Sequence, residues 1–130
     1  MTFSIGQLAK NAGTGVETIR FYERRGLMPE PPRAPSGYRK YPPDAKDRLR
    51  FIRRAKHLGF TLDEITSLLS LEVGGERAEV KHMARDKLEE IDARLRDLKR
   101  MRATLAGLEK RCSGSGPVKG CPIINALRAE

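Results

Sequence analysis

Apolar residues near the start of the chain recur at helical rather than strand spacing. Ile5, Leu8, Ala9 and Ala12 fall on one face of a short helix, Ser4 with Gln7 three residues later forms a capping box, and Gly13 stops the run. Thr14 with Glu17 repeats the capping pattern, and Val16 and Ile19 open a second apolar face that ends near Gly26. Two short capped helices joined by Gly13-Thr14-Gly15 predict a helix-turn-helix. The second helix carries Arg20, Tyr22, Arg24 and Arg25, side chains able to pair with phosphate and to reach base edges.

The periodicity lapses between Pro29 and Pro43, where proline is too frequent for a helix. Ser36-Gly37 can turn the chain and Tyr38-Arg39-Lys40-Tyr41 alternates aromatic with basic residues, which predicts a small β-hairpin wing. Helical spacing then resumes. A third helix starts around Pro43, turns Leu49, Ile52 and Ala55 inward with Arg50, Arg53, Arg54 and Lys56 outside, and ends at Gly59. A fourth follows through the capping box Thr61 and Glu64, with Leu62, Ile65, Leu68 and Leu69 as its inner face.

From Glu76 to Arg111 there is no proline and a single glycine, Gly107. The stripe Leu88, Ile91, Leu95, Leu98, Met101, Leu105 and Leu108 advances in steps of three and four. At 1.5 Å per residue such a helix is roughly 50 Å long, more than a head of this size can cover. Its seam therefore calls for a partner, most simply the same helix of a second copy, the alternative being a seam folded back on the chain's own head. The expected organisation is a head over residues 1–72, a dimerisation helix over 76–111, and a terminal loop and short helix over 112–130.

That terminal segment changes the picture. Cys112 and Cys121 close a loop rich in Ser and Gly, and Pro122 to Leu127 reads as a short amphipathic helix with Cys121 at its N-cap. There the free N–H groups favour the thiolate, the form that binds soft metals. These are the only cysteines in 130 residues. No apolar run is long enough to span a bilayer and the N-terminus lacks a signal-peptide stretch, so the expected location is the cytoplasm, away from membranes, with both thiols reduced or metal-bound. No C-x-x-C, phosphate-binding glycine motif or ligand-spaced cluster of His and carboxylates is present, which argues against an enzyme. His57 and His82 stand alone among charged residues and read as solvated.

Charge adds a direction. The net charge of +9 is concentrated in the first sixty residues, which carry 13 Lys and Arg against 5 Asp and Glu. The remainder holds 13 against 12. Concentrated positive charge is the footprint of a polyanion binder, because neutralising phosphates releases condensed counterions.

Taken together, Ile5-Gly-Gln-Leu-Ala9, Glu17-Thr-Ile-Arg-Phe-Tyr-Glu23 with Gly26-Leu27, Gly37-Tyr-Arg-Lys-Tyr41, Leu58-Gly-Phe-Thr-Leu-Asp-Glu-Ile65 and Cys121-Pro-Ile-Ile124 resemble the MerR family of transcriptional regulators. The two-cysteine loop is similar to that of its metal-sensing branch. The resemblance implies a mainly α fold: a winged helix-turn-helix head plus a long antiparallel coiled-coil dimerisation helix. It implies a homodimer on double-stranded promoter DNA that distorts its operator, on binding an effector, so that RNA polymerase engages both promoter elements. Carried over by residue, DNA contacts fall to Thr14, Val16, Glu17, Thr18, Arg20 and Tyr22 on the recognition helix and its approach. Tyr38, Arg39 and Tyr41 follow on the wing, with Arg33 and Arg54 on flanking phosphates. Tyr22 and Tyr41 are also candidates for burial, ring inside and hydroxyl paired.

The resemblance assigns the metal to Cys112 and Cys121. Mercury sensors of the family use three thiolates, and the position of the first is Arg77 here. Copper, silver and gold sensors use the two loop cysteines and a lysine matching Lys81. Two thiolates around a monovalent ion leave one negative charge, which Arg77 and Lys81 can compensate. The expected effector is thus a soft monovalent ion, Cu(I), Ag(I) or Au(I). The alternatives are Hg(II), which the nine-residue cysteine spacing suits better, and thiol chemistry such as disulfide or adduct formation.

Overall fold

The computed structural model describes residues 2–31 and 35–129. Arg33, expected on a flanking phosphate, lies outside them. Among the described residues six helices follow in order: α1 (Ile5–Ala12), α2 (Val16–Arg24), α3 (Pro43–His57), α4 (Leu62–Gly74), α5 (Arg77–Arg111) and α6 (Pro122–Arg128). The chain divides into two compact units, Met1–Met83 and Ala84–Glu130, and α5 begins in the first and continues into the second.

The first unit is a mainly helical head in which α1 packs on α2 and α3, and α3 on α4. Its core gathers Leu8, Ile19, Tyr22, Leu27, Met28, Tyr41, Leu49, Ile52, Ile65 and Leu69, the inward positions of each helical face with the two tyrosines added. At roughly 1.5–3 kcal/mol per fully buried Leu or Ile, this set is enough to hold four short helices that would not persist alone. The caps at Ser4 and Thr61 form as the pattern predicts, each with its reciprocal Gln7 or Glu64 bond.

The cap predicted at Thr14 does not form. Gly13 adopts a left-handed φ of 69°, and the Thr14 N–H donates to the Ala9 carbonyl at 3.0 Å, so Thr14 completes the C-terminus of α1. Gly15 is the N-cap of α2 and makes no side-chain bond, and Glu17 pairs with Arg20 instead.

The hairpin expected between Pro29 and Pro43 falls partly on residues 32–34, which lie outside the described residues. Tyr41 exchanges both backbone hydrogen bonds with Phe3, at 2.7 and 2.8 Å, in an isolated antiparallel bridge. Pro42 and Pro43 follow directly and lack the N–H groups that would extend the pairing.

In the second unit α5 presents its seam to solvent. Leu88, Ile91, Leu95, Leu98, Met101 and Leu105 are all exposed, and only Leu108 is buried. The C-terminal loop returns through Gly114, Gly116 and Gly120, all at positive φ, to α6, which starts at Pro122 with Cys121 as its N-cap. No described helix is long and apolar enough to cross a membrane.

Candidate nucleic-acid interface and dithiol site

The recognition helix and the wing enclose an open cleft of about 600 Å³, with Arg20 and Arg24 on the helix side and Tyr38 and Arg39 on the wing side. Tyr38 is 76% exposed, as a residue that meets a partner must be. Arg20 is held by Glu17 at 2.9 Å, an exposed i, i+3 pair that contributes little to stability and is readily exchanged for another anion.

Tyr22 and Tyr41 are both buried, Tyr41 completely. Both rings belong to the core of the head, the burial that the sequence also allowed for. The Tyr41 hydroxyl donates to Glu23 Oε2 at 2.7 Å. Its pKa is pushed up to about 12, first by burial and then by the adjacent Glu23 carboxylate, with Arg39 acting in the opposite direction.

A second cleft, of about 470 Å³, lies at the helix turn, where Thr14 and Thr18 meet Arg53, Lys56 and His57 of α3. Arg53 Nη1 donates to the Ala12 carbonyl at 3.3 Å, and a Cβ at Gly13 would come within 2.9 Å of it. Val16 is half-buried against the core, whereas Arg54 is exposed on α3. Charge counting alone missed Glu23 and Glu30. The available signal was the scarcity of acids in the first sixty residues, which makes each remaining carboxylate worth placing.

In the second unit the two thiols come together. Cys112 and Cys121 are both free and half-buried, with sulfurs 3.9 Å apart. The amide groups of Ile124 and then Ile123 draw the Cys121 pKa below its ordinary value, desolvation opposes them, and contact with Cys112 adds a smaller lowering. No close N–H···S cap bond forms, so the lowering comes from the amides facing the sulfur across the first turn of α6. The separation fits a shared ion. Two metal–sulfur bonds of about 2.3 Å span 3.9 Å when bent, while a linear arrangement would need about 4.6 Å. Among the described residues no group of three His, Cys, Asp or Glu could hold a metal.

Arg77 is the first residue of α5 and Lys81 lies one turn further on, both within the first unit. His82 lines a shallow groove at the α4–α5 junction with Leu71, Val73 and Met83.

Known proteins share this fold. Residues 3–72 match the MerR HTH family regulatory protein model and residues 46–108 the MerR, DNA binding model. The chain belongs to the MerR family. It is 45% identical to a mercuric resistance operon regulatory protein of Bacillus cereus over 98% of both chains. Its fold is similar to the lead(II) complex of the transcription regulator PbrR691 of Ralstonia metallidurans CH34, with a TM-score of 0.82 and 35% identity over 95% of this chain and 97% of that one. It also resembles EcmrR in an EcmrR–DNA complex, with a TM-score of 0.65 and 26% identity over 83% of this chain and 40% of that one. Membership makes this MerR-family chain a DNA-binding transcriptional regulator and not an enzyme.

Proposed function

We propose that this MerR-family regulator is a soft-metal sensor whose natural ion is Hg(II), held by Cys112 and Cys121. It binds double-stranded promoter DNA as a homodimer and transmits ion binding to RNA polymerase by distorting the operator. The observation that carries the reading is the pair of thiol sulfurs at 3.9 Å, one of them at a helix N-cap that favours thiolate. The mercuric relative at 45% identity supports the choice of ion, as does the nine-residue spacing of the cysteines. Two thiolates neutralise Hg(II), so the complex needs no countercharge to sit partly buried. The chain has only two cysteine thiols, so further coordination falls to solvent or a small thiol.

A monovalent ion, Cu(I), Ag(I) or Au(I), is the second reading. Arg77 at the position of the missing third thiol and Lys81 one turn later favour it, because a monovalent dithiolate is an anion. Seam exposure supports dimerisation: six large apolar residues along α5 are exposed. The contacts proposed for the head place Arg20 and its approach, Thr14 to Thr18, in the major groove. Arg39 and Tyr38 then lie along the backbone, with Arg33 and Arg54 on flanking phosphates.

Anaerobic competition titrations with Hg(II), Cu(I) and Ag(I), read by transcription from the cognate promoter, decide between the ions. The mercury reading expects Hg(II) to activate, with Lys81→Ala and Arg77→Ala leaving its affinity within about threefold. Activation by Cu(I) or Ag(I), lost in those variants, would replace it with the monovalent reading.

A further inference from the structure

The carboxylate of Glu23 is an unusual object in this head: a buried acid on the recognition helix, its side chain only 6% exposed. A buried carboxylate persists only if its oxygens are satisfied. Here Oε2 accepts from the Tyr41 hydroxyl at 2.7 Å, and Oε1 faces Arg39 Nη1 at 3.6 Å. Tyr41 is itself fixed, wholly buried and bridged to Phe3 through both backbone groups. The opposite corner of the Arg39 guanidinium, Nη2, pairs with Glu30, a carboxylate that is 56% exposed. One planar cation therefore sits between an inner acid that cannot leave and an outer acid that can.

We infer that Glu23 is the positioning residue that ties the wing arginine Arg39 to the recognition helix, and that Glu30 occupies the place of a DNA phosphate on the outer edge of that guanidinium. The inference rests on the reading above in which the wing contacts the DNA backbone. A guanidinium fork accepts carboxylate and phosphate in the same geometry, so a phosphodiester entering the cleft lined by Arg20, Arg24 and Tyr38 displaces Glu30 without moving Arg39. The exposed Arg39–Glu30 pair contributes little and yields easily, whereas removing Arg39 from Glu23 would leave a buried charge unpaired. The wing and α2 thus close on the backbone as one jaw, with no search by a free arginine.

The test is operator binding by the full-length protein, measured by fluorescence anisotropy across a salt series. Arg39→Ala should weaken binding about tenfold and lower the salt-dependence slope by about 0.9, the signature of one lost phosphate contact. Glu23→Gln keeps a polar partner for Tyr41 but drops the charge that holds Arg39. It should reproduce both changes, and the double variant should be little worse than either single one. Glu30→Gln should tighten binding severalfold. If Glu23→Gln does not fold, Tyr41→Phe removes only the second anchor of Glu23, and the same slope change in smaller degree is expected of it. No effect of Arg39→Ala would overturn the wing contact, and the positioning role with it. A normal Arg39→Ala loss with an unchanged slope in Glu23→Gln, or independent losses that add in the double variant, would overturn the positioning role and leave the wing contact standing.

Discussion

The two units of this chain handle apolar surface in opposite ways. The head turns its Leu, Ile and Met side chains into a core and leaves arginines outside, so it is complete as one copy. The second unit lines up seven large apolar residues along the seam of α5 and buries only Leu108 of them. The lesson is that helical periodicity specifies a face but not what covers it. In the head the cover is the next helix of the same chain, whereas along α5 a second copy is the simplest cover.

The largest expected effect breaks that contrast directly. Leu98→Asp, in the middle of the exposed seam, should place an unpaired charge in the helix–helix contact at a cost of several kcal/mol, and so yield monomers. Sedimentation should show the shift, with the amide spectrum of the head unchanged. A dimer that survives the substitution would mean that the seam is not the dimer contact.

Next in size are changes on the complete side of the comparison. Arg20→Ala should cost roughly 1–3 kcal/mol of operator binding and relax preference at one base position if the side chain reaches a base edge. Arg54→Ala should act about equally on all sequences and flatten the salt dependence by about one phosphate contact. Binding assays on operator and scrambled duplexes separate the two. Equal small losses on both duplexes would show that neither arginine reads a base.

The smallest effect concerns the buried tyrosine that joins the wing to the head core. The Tyr41 pKa is raised from 10.0 to about 12 in the folded state. The protonated hydroxyl therefore favours folding at all pH values below about 10, and this contribution fades as pH rises from there through about 12. Tyr41→Phe should remove that alkaline loss from the pH dependence of urea unfolding while leaving neutral stability modestly changed. A variant with the same alkaline decline as the parent would place the titration elsewhere.

Much of the head was legible because its signals are local. Capping boxes at Ser4 and Thr61 and apolar faces on four helices need only neighbours in sequence, and all are present, as is the N-cap position of Cys121 in the second unit. What could not be read depends on partners far along the chain. Thr14 looks like a cap until the closing bond of α1 claims it, and the pairing of Tyr41 with Phe3 at the other end of the head has no local signal. Glu23 looks like a surface acid because its burial is created by Tyr41 and Arg39, eighteen and sixteen residues away. The dithiol was legible as a pair, since nine residues with three flexible glycines can close, but its 3.9 Å span was not.

The central claim is that a self-sufficient head reads DNA while the paired thiols of the second unit read the ion. The most direct test is operator unwinding, followed by the fluorescence of a base analogue at the operator centre while Hg(II) is titrated into the protein–DNA complex. The parent should bind the duplex with or without Hg(II) and unwind it only with Hg(II), saturating at one ion per cysteine pair. Cys112→Ser and Cys121→Ser should bind the duplex with parent affinity and show no unwinding at any Hg(II) concentration that leaves the DNA intact. Unwinding that persists in either variant, or loss of DNA binding in both, would contradict the division of labour between the two units.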